Sequence, residues 1–206
     1  MNLFAEAFTV WGSPITWLEI AACVLAVWMV VCNWQVNPLA WPLAMASSAM
    51  YALLFAHSKL YGEATLQLVF IVVAVWGWWQ WLRGHGAEGG PLVVHVLTVR
   101  QRWQAAIATL AAWPALALLL ATATDSDVPW LDALPTVGSL AGQFLLGRKL
   151  VENWPVWIAV NVFSVGLFAI KGLWLTVALY ALFAVMAAIG WRAWRQKLPA
   201  PQAASA

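Results

Sequence analysis

The clearest chemical pattern in the sequence is a triplet of ring and amide side chains. Trp154, Trp157 and Asn161 follow one another at spacings of three and four residues. On an α-helix this spacing places side chains on one face, one above another. Indole rings stack on flat aromatic compounds and attract cations, and an amide both donates and accepts hydrogen bonds. The triplet therefore predicts a site for a flat, polar ring compound, including a cationic one.

Three further polar side chains interrupt apolar segments elsewhere in the chain. Gln143 is a lone amide among glycine and leucine, and Ser48 and Tyr51 lie on one apolar segment. Polar groups within a membrane are costly and often functional. The same groups can also join helices by hydrogen bonds without touching a ligand. Spacing alone favours neither a binding site nor helix packing.

Composition predicts an integral membrane protein. Of the 206 residues, 64% are hydrophobic and 9% are charged, whereas soluble domains carry about 25% charged residues. The formal net charge of +2 and the absence of a basic patch argue against nucleic-acid binding. The sequence shows no P-loop, no metal-ligand cluster and no nucleophile–base pair. We therefore expect no enzyme activity, no catalytic residues, no metal and no cofactor.

The elements that must position these side chains are seven transmembrane helices, which predict an all-α polytopic fold. A spanning helix needs about 17–25 mostly apolar residues. Tryptophans near the ends of spans predict a belt at the membrane interface: Trp11, Trp17, Trp34, Trp130 and Trp194. The predicted spans are residues 15–34, 39–56, 63–82, 103–122, 130–147, 154–170 and 173–192.

The distribution of charge predicts the orientation of the chain. An excess of lysine and arginine marks the cytoplasmic side. With seven spans, that side carries Arg83, Arg100, Arg102, Arg148, Lys149, Arg192, Arg195 and Lys197. The other side carries only the basic residues Lys59 and Lys171, together with Asp125, Asp127 and Asp132. We therefore expect the N-terminus outside and the C-terminus in the cytoplasm. Residues 84–102 are expected to form a cytoplasmic loop.

The sequence also contains an internal repeat without gaps. A single shift along the sequence places Trp41-Pro42 on Trp154-Pro155, and we call this shift the repeat offset. The same offset places the motif G-W-x-x-W at Gly77–Trp81 on Gly190–Trp194. We therefore predict a first three-helix unit over residues 15–82, a linker helix over 103–122 and a second unit over 130–194. A linker of one helix gives both units the same direction, and such parallel repeats place a substrate at their interface.

The repeat offset brings two residues of the first unit into the predicted site. It places Ser48 opposite Asn161 and Trp41 opposite Trp154. Glu19, the acidic residue inside an apolar span, lies near a helix N-terminus, where a carboxylate is favoured. An interfacial position and a proton-coupling role both remain open for this residue.

A family resemblance rests on the segment that begins at Arg148. The residues Arg148-Lys149-Leu150-Val151-Glu152-Asn153-Trp154-Pro155-Val156-Trp157 resemble the R-K-x-x-E-N-W-x-x-W signature of the PnuC family. Gly77–Trp81 and the stretch Thr16–Glu19 are also similar to this family. The resemblance implies a bacterial inner-membrane vitamin transporter, chiefly for nicotinamide riboside, with a 3+1+3 helix arrangement like that of SWEET sugar transporters.

The resemblance also carries expectations about site and mechanism. It implies facilitated diffusion, with a cytosolic kinase that traps the incoming nucleoside, and it implies association as a homotrimer. The family's aromatic and amide positions map onto Trp154, Trp157, Asn161 and Gln143; Ser48, Tyr51 and Trp41 are added by repeat symmetry. Related branches carry thiamine or riboflavin, so the substrate stays open among these vitamins. A seven-helix membrane sensor is the alternative from another class.

Overall fold

The computed structural model describes residues 4–10, 13–57, 61–86, 89–123, 128–170 and 174–198. The seven predicted helices are confirmed, and most of their bounds differ from the prediction by a few residues. Lys59, Lys171, Asp125 and Asp127, which entered the orientation argument, lie outside the described residues. The helices are α1 (Trp17–Gln35), α2 (Ala40–His57), α3 (Tyr61–Arg83), α4 (Val99–Ala123), α5 (Pro129–Gly147), α6 (Asn153–Ile170) and α7 (Trp174–Gln196).

Five of these helices are long and apolar enough to cross a membrane, namely α1, α3, α4, α6 and α7. The other two carry more polar residues: α2 contains Ser47 and Ser48, and α5 contains Ser139 and Gln143. Helix α1 begins after Thr16, whose side-chain oxygen accepts the Glu19 N–H at 3.2 Å. Glu19 therefore lies in the first turn of α1, at the end where a helix favours a carboxylate.

Two short antiparallel strands precede α1, in addition to the seven predicted helices. Strand β1 (Glu6–Val10) pairs antiparallel with β2 (Ser13–Thr16). The ring of Phe4 stacks on His57 at the end of α2, with 4.5 Å between the ring centroids. The two strands are short and partly apolar, so the sequence did not distinguish them from the residues that lead into the first predicted transmembrane helix.

Contacts between helices follow the same order in both parts of the chain. Helix α2 packs against α1 and α3, and α6 packs against α5 and α7. Helix α1 also packs against α7, and α3 packs against α5. The repeat relates α1 to α5 and α3 to α7, so the α1–α7 contact corresponds to the α5–α3 contact. Helix α4 packs mainly against α5.

Four buried indole rings cluster at the end of the bundle where α2 and α6 begin and α3 and α7 end, and we call them the tryptophan core: Trp41, Trp81, Trp154 and Trp194. Trp41 meets Trp81 edge-on with ring centroids 5.5 Å apart, and Trp154 meets Trp194 in the same way at 5.5 Å. Trp194 is fully buried, so its assignment to the interfacial belt was wrong. A tryptophan at the end of a span is equally compatible with a core position when a neighbouring helix covers it.

The turns after α1 and α5 repeat one another bond by bond. Val36 and Lys149, which the repeat offset superimposes, both have positive φ, at 61° and 54°. This conformation is rare for residues other than glycine, and most of all for β-branched valine. Equivalent backbone hydrogen bonds follow at both places: Asn37 N–H to Cys32 O at 2.9 Å and Leu150 N–H to Leu145 O at 3.0 Å, then Trp41 N–H to Pro38 O and Trp154 N–H to Val151 O, both at 3.2 Å.

The segment between α3 and α4 is more ordered than the predicted loop over residues 84–102. Residues 89–98, here called the strap, lie along the α5–α6 turn through a parallel bridge between His95 and Leu150. Leu92 and Val94 of the strap are buried. Helix α4 already begins at Val99, earlier than predicted. The loop-like composition concealed an alternation of buried and exposed residues.

Lys149 and Glu152 of the α5–α6 turn hold the strap in place. The Lys149 ammonium donates to Leu92 O at 2.9 Å and lies 5.2 Å from the Trp81 ring centroid. Burial lowers the pKa of Lys149 from its ordinary value. Glu152 Oε1 accepts the Leu97 N–H at 3.0 Å and pairs with Arg102 Nε at 2.9 Å. The strap thus joins α4 to the second group of three helices.

Candidate functional site

The start of α6 presents the predicted triplet from a rigid support. The fully buried Asn153 begins the helix, and its side-chain amide donates to Leu150 O at 2.6 Å. Pro155 follows in the first turn, where its missing N–H leaves no helical hydrogen bond unmade. Trp154, Trp157 and Asn161 are therefore positioned on a helix whose N-terminal end is fixed to the preceding turn.

The structure places Trp154 and Trp41 in the tryptophan core. A Cβ atom added to Gly190 would lie 2.4 Å from the Trp154 ring, and one added to Gly77 would lie 2.2 Å from the Trp41 ring. Each indole thus fills a space that a glycine on the neighbouring helix leaves open. The indole N–H groups of both rings are buried and have no hydrogen-bond acceptor among the residues that the structure describes. Unmet buried donors are costly.

Trp157 packs on α5 close to Gln143, and Asn161 follows it by one helical turn on α6. The position of a Cβ added to Gly142 would be 3.0 Å from Trp157 Cε2, so the indole lies directly on the α5 backbone. Gln143, the next residue of α5, is buried, and so is Asn161. Neither side-chain amide is among the fully enclosed polar atoms that lack a hydrogen-bond partner within the described ranges. Amide side chains on the two helices that Trp157 joins can bind a ligand that offers hydroxyl, carbonyl or amide groups.

The α2 residues of the predicted site are less closely joined to this group. Ser48 is partly buried, and the Tyr51 ring stacks on Phe55 with 6.0 Å between centroids. No hydrogen bond or ring contact links either residue to the α6 triplet among the described residues. The neighbouring Ser47 has a packing role instead, because its hydroxyl donates to Ala22 O of α1 at 3.0 Å.

Two further buried polar residues, one on α6 and one on α1, were not among the predicted site residues. Ser164 is 3% exposed and lies one helical turn after Asn161, and the repeat offset makes its position equivalent to Tyr51. Asn33 is 4% exposed, and its side-chain Oδ1 has no donor in the described part of the chain. The repeat offset, applied to Tyr51, would have identified Ser164.

The open grooves on the surface of the described bundle are not lined by the predicted site residues. One groove of about 480 Å³ is lined by Val72, Val73, Trp76, Leu140 and Phe144, and another of about 260 Å³ lies along Leu131, Val162, Phe163 and Ile170. Both are apolar and open to the surface, as expected where lipid chains pack. No group of three or more metal-ligating side chains occurs within the described ranges.

Comparison with known proteins places this architecture among membrane transporters. The family model described as nicotinamide mononucleotide transporter matches residues 16–196. The riboflavin/roseoflavin transporter RibM of Streptomyces davaonensis is 28% identical over 195 residues, which cover 93% of this chain and 91% of that protein.

Two relatives carry the name nicotinamide riboside transporter PnuC. The protein of Neisseria mucosa is 29% identical over 175 residues, covering 82% of this chain and 66% of that protein. The protein of Escherichia coli K12 is 25% identical over 169 residues, covering 70% and 71%. A crystal structure of the vitamin B3 transporter PnuC superimposes with a TM-score of 0.72 at 25% identity, covering 87% of this chain and 81% of that one.

Proposed function

Because the chain belongs to the nicotinamide mononucleotide transporter family, we propose that it carries nicotinamide riboside across the bacterial inner membrane. Family membership makes it a membrane transporter of the vitamin-carrying PnuC group. The choice of nicotinamide riboside rests on the relatives of that name and on the chemistry of the α5–α6 interface.

One observation supports the proposed substrate site: Trp157 packs on Gly142, and each side of this contact carries a buried amide residue, Gln143 next to Gly142 on α5 and Asn161 one helical turn after Trp157 on α6. Asn161 and Gln143 can hold the carboxamide or the ribose hydroxyls of the substrate. The pyridinium ring would lie against Trp157, since an indole face attracts a cationic aromatic ring. A bound nucleoside would thereby form hydrogen bonds with both helices.

The remaining proposed contacts complete this site from both three-helix units. Trp154 and Trp41 have buried indole N–H groups that lack acceptors within the described chain, and an oxygen of the substrate can accept from them. Ser48 and Tyr51 would contribute hydroxyl groups from α2. Their place in the site rests on the offset that relates them to Asn161 and Ser164.

We propose transport by alternating access between two parallel units, residues 15–82 and 130–194, joined by the linker helix at 103–122. The repeated turns, the repeated glycine–tryptophan contacts and the exchanged α1–α7 and α3–α5 contacts support this 3+1+3 arrangement. In this scheme all seven helices span the membrane and the protein works as a uniporter. Cytosolic phosphorylation would trap the substrate, and the protein would assemble as a homotrimer.

A second candidate substrate is riboflavin, which is favoured by the similarity to RibM along 93% of the chain. Riboflavin also has a flat ring system and a chain of hydroxyl groups, so Trp157 and the two amides could serve it. It differs from nicotinamide riboside in carrying no positive charge on the ring.

Counterflow into proteoliposomes tests the proposed function and separates the substrates. Vesicles loaded with unlabelled nicotinamide riboside, thiamine or riboflavin are diluted into the same labelled vitamin, and accumulation of label is measured. We expect accumulation with nicotinamide riboside and a matching rise in the thermal unfolding temperature when it is added, because a ligand that binds the folded form stabilises it. Accumulation only with riboflavin would transfer the assignment to the second candidate, and accumulation with none would contradict transport of these vitamins.

A further inference from the structure

Two indole N–H groups form hydrogen bonds that cross between the three-helix units. Trp81 of α3 donates to the carbonyl oxygen of Leu146 in α5 at 3.0 Å, and Trp194 of α7 donates to that of Asn33 in α1 at 2.8 Å. The repeat offset relates the two donors to each other and the two acceptors to each other. We call this pair of hydrogen bonds the indole latch.

The latch lies where α1, α3, α5 and α7 end. Asn33 and Leu146 are in the last turns of α1 and α5, where helix carbonyl groups lack partners within the helix. Each carbonyl also accepts a backbone N–H from the positive-φ residue that follows it. Asn33 O accepts the Val36 N–H at 3.1 Å, and Leu146 O accepts the Lys149 N–H at 2.9 Å. The unusual turns therefore fix the direction of the carbonyls that the indoles reach.

The rings of the latch also close the space between the units. Trp81 and Trp194 contact each other with 6.1 Å between centroids, and they are 6% and 0% exposed. Each ring is backed by the other tryptophan of its own unit in the tryptophan core. With the latch formed, the C-terminal ends of the two units are joined by hydrogen bonds and by an apolar ring contact.

We propose that Trp81 and Trp194 are the gate residues at this end of the transport path. This inference rests on the proposed alternating access, in which the two units must separate at one membrane face at a time. Opening at the C-terminal face requires both inter-unit hydrogen bonds to break. Closing that face restores two bonds of the same geometry, one donated by each unit.

The reporter for the test is a cysteine at position 30. Val30 of α1 packs against the hydrophobic cluster that contains the tryptophan core. Its equivalent in the second unit is Gln143 of the proposed site. Val30→Cys is made in a Cys23→Ala, Cys32→Ala background, since these are the two native cysteines. A membrane-impermeant maleimide is then applied from the side on which the C-terminus lies, and the alkylation rate is measured without substrate.

The latch variants are Trp81→Phe and Trp194→Phe, which keep an aromatic ring but remove the N–H donor. The matched controls are Trp78→Phe and Trp191→Phe, the first tryptophans of the same two G-W-x-x-W motifs. Trp78 and Trp191 are each 37% exposed. A benzothienyl isostere of tryptophan at positions 81 and 194 removes the donor with almost no change in ring size, and it replaces phenylalanine if a latch variant does not fold.

We expect each latch variant to raise the alkylation rate by roughly five- to tenfold, the effect of losing one neutral hydrogen bond. The double variant should show a larger rise, and the controls should match the parent. An unchanged rate in a folded double variant, or in the folded isostere, would overturn the gate assignment. Because the assay contains no vitamin, a failure to transport any of the three vitamins would contradict the proposed function separately.

Discussion

The side chain of Asn161 is the most direct test of the proposed site. Leucine has a similar branched shape but offers no hydrogen bond, so Asn161→Leu should weaken substrate binding by about 1–3 kcal/mol when a buried group of the ligand loses its partner. Isothermal titration of the purified protein measures the change. Gln196→Leu, an equivalent loss of an amide at the exposed end of α7, serves as the control and should bind normally. Unchanged affinity in a folded Asn161→Leu variant would remove this residue from the site.

Two glycines determine how closely the tryptophan core can pack. Gly77→Ala and Gly190→Ala would each place a methyl group 2.2–2.4 Å from an indole ring, so we expect a loss of about 1–3 kcal/mol of stability from overpacking. The two losses should be similar because the sites are related by the repeat. Thermal unfolding in detergent measures both.

Gly166 provides the matched control for these substitutions. A Cβ added there meets nothing within 4 Å, and alanine is favoured over glycine inside a helix by about 1 kcal/mol. Gly166→Ala should therefore leave the unfolding temperature unchanged or raise it. Equal destabilisation at all three positions would show that the tryptophan contacts have no special role.

The family signature at Arg148–Trp157 is explained in part by the contacts that its residues make with neighbouring elements. Its glutamate, Glu152, binds the strap through the Leu97 N–H and binds α4 through the Arg102 side chain. Its asparagine, Asn153, binds the turn before α6. Three signature residues, Lys149, Glu152 and Asn153, thus hold the strap and the α5–α6 turn in place, and the tryptophans that follow belong to the proposed site.

Removal of the Glu152 carboxylate should release the strap. Glu152→Ala takes away one hydrogen bond to the backbone and one partly exposed ion pair, which together contribute about 1–2 kcal/mol. We therefore expect roughly tenfold faster amide hydrogen exchange at Leu97, measured by mass spectrometry. Arg102→Gln, which leaves the backbone bond in place, should have a smaller effect. Equal exchange in all three proteins would contradict this account of the strap.

The sequence was sufficient to predict the helices because hydropathy is a strong signal over about 20 residues. It was not sufficient to distinguish Trp194, a core residue, from an interfacial one, since both occur at the end of an apolar span. The strap was missed for a similar reason. Its buried residues, Leu92 and Val94, alternate with exposed ones over too short a stretch to stand out among glycines.

For the site, sequence spacing was informative within one helix and less informative between helices. The order Trp154, Trp157, Asn161 fixes a common face of α6 because helix geometry is local. Whether an indole faces a ligand or packs on a neighbouring glycine depends on a second helix, and the spacing on α6 does not contain that information. The repeat offset, which pairs Gly77 with Gly190, was the sequence feature that came nearest to predicting which indole rings pack on a glycine.

The indole latch shows which helix ends meet at one face of the molecule. Its donors lie near the C-terminal ends of α3 and α7, and its acceptors lie near those of α1 and α5. These four ends therefore meet at one face of the bundle. That face also carries Arg83, Arg148, Arg192 and Arg195. The side at which these four helices end is therefore the side that the basic residues predict to be cytoplasmic.

This agreement leads to a prediction about topology. If basic residues mark the cytoplasmic face, a fluorescent protein fused after residue 206 should fold and fluoresce in a bacterial host, while alkaline phosphatase at the same position should be inactive. A cysteine introduced near the N-terminus, for example Asn2→Cys in a Cys23→Ala, Cys32→Ala background, should react with an impermeant maleimide added to intact cells. The opposite result with both reporters would show that the C-terminus lies outside the cell, and it would place the indole latch at the outer face. Labelling of the N-terminus and an active phosphatase at the C-terminus would together contradict an odd number of spans, and with it the parallel arrangement of the two units.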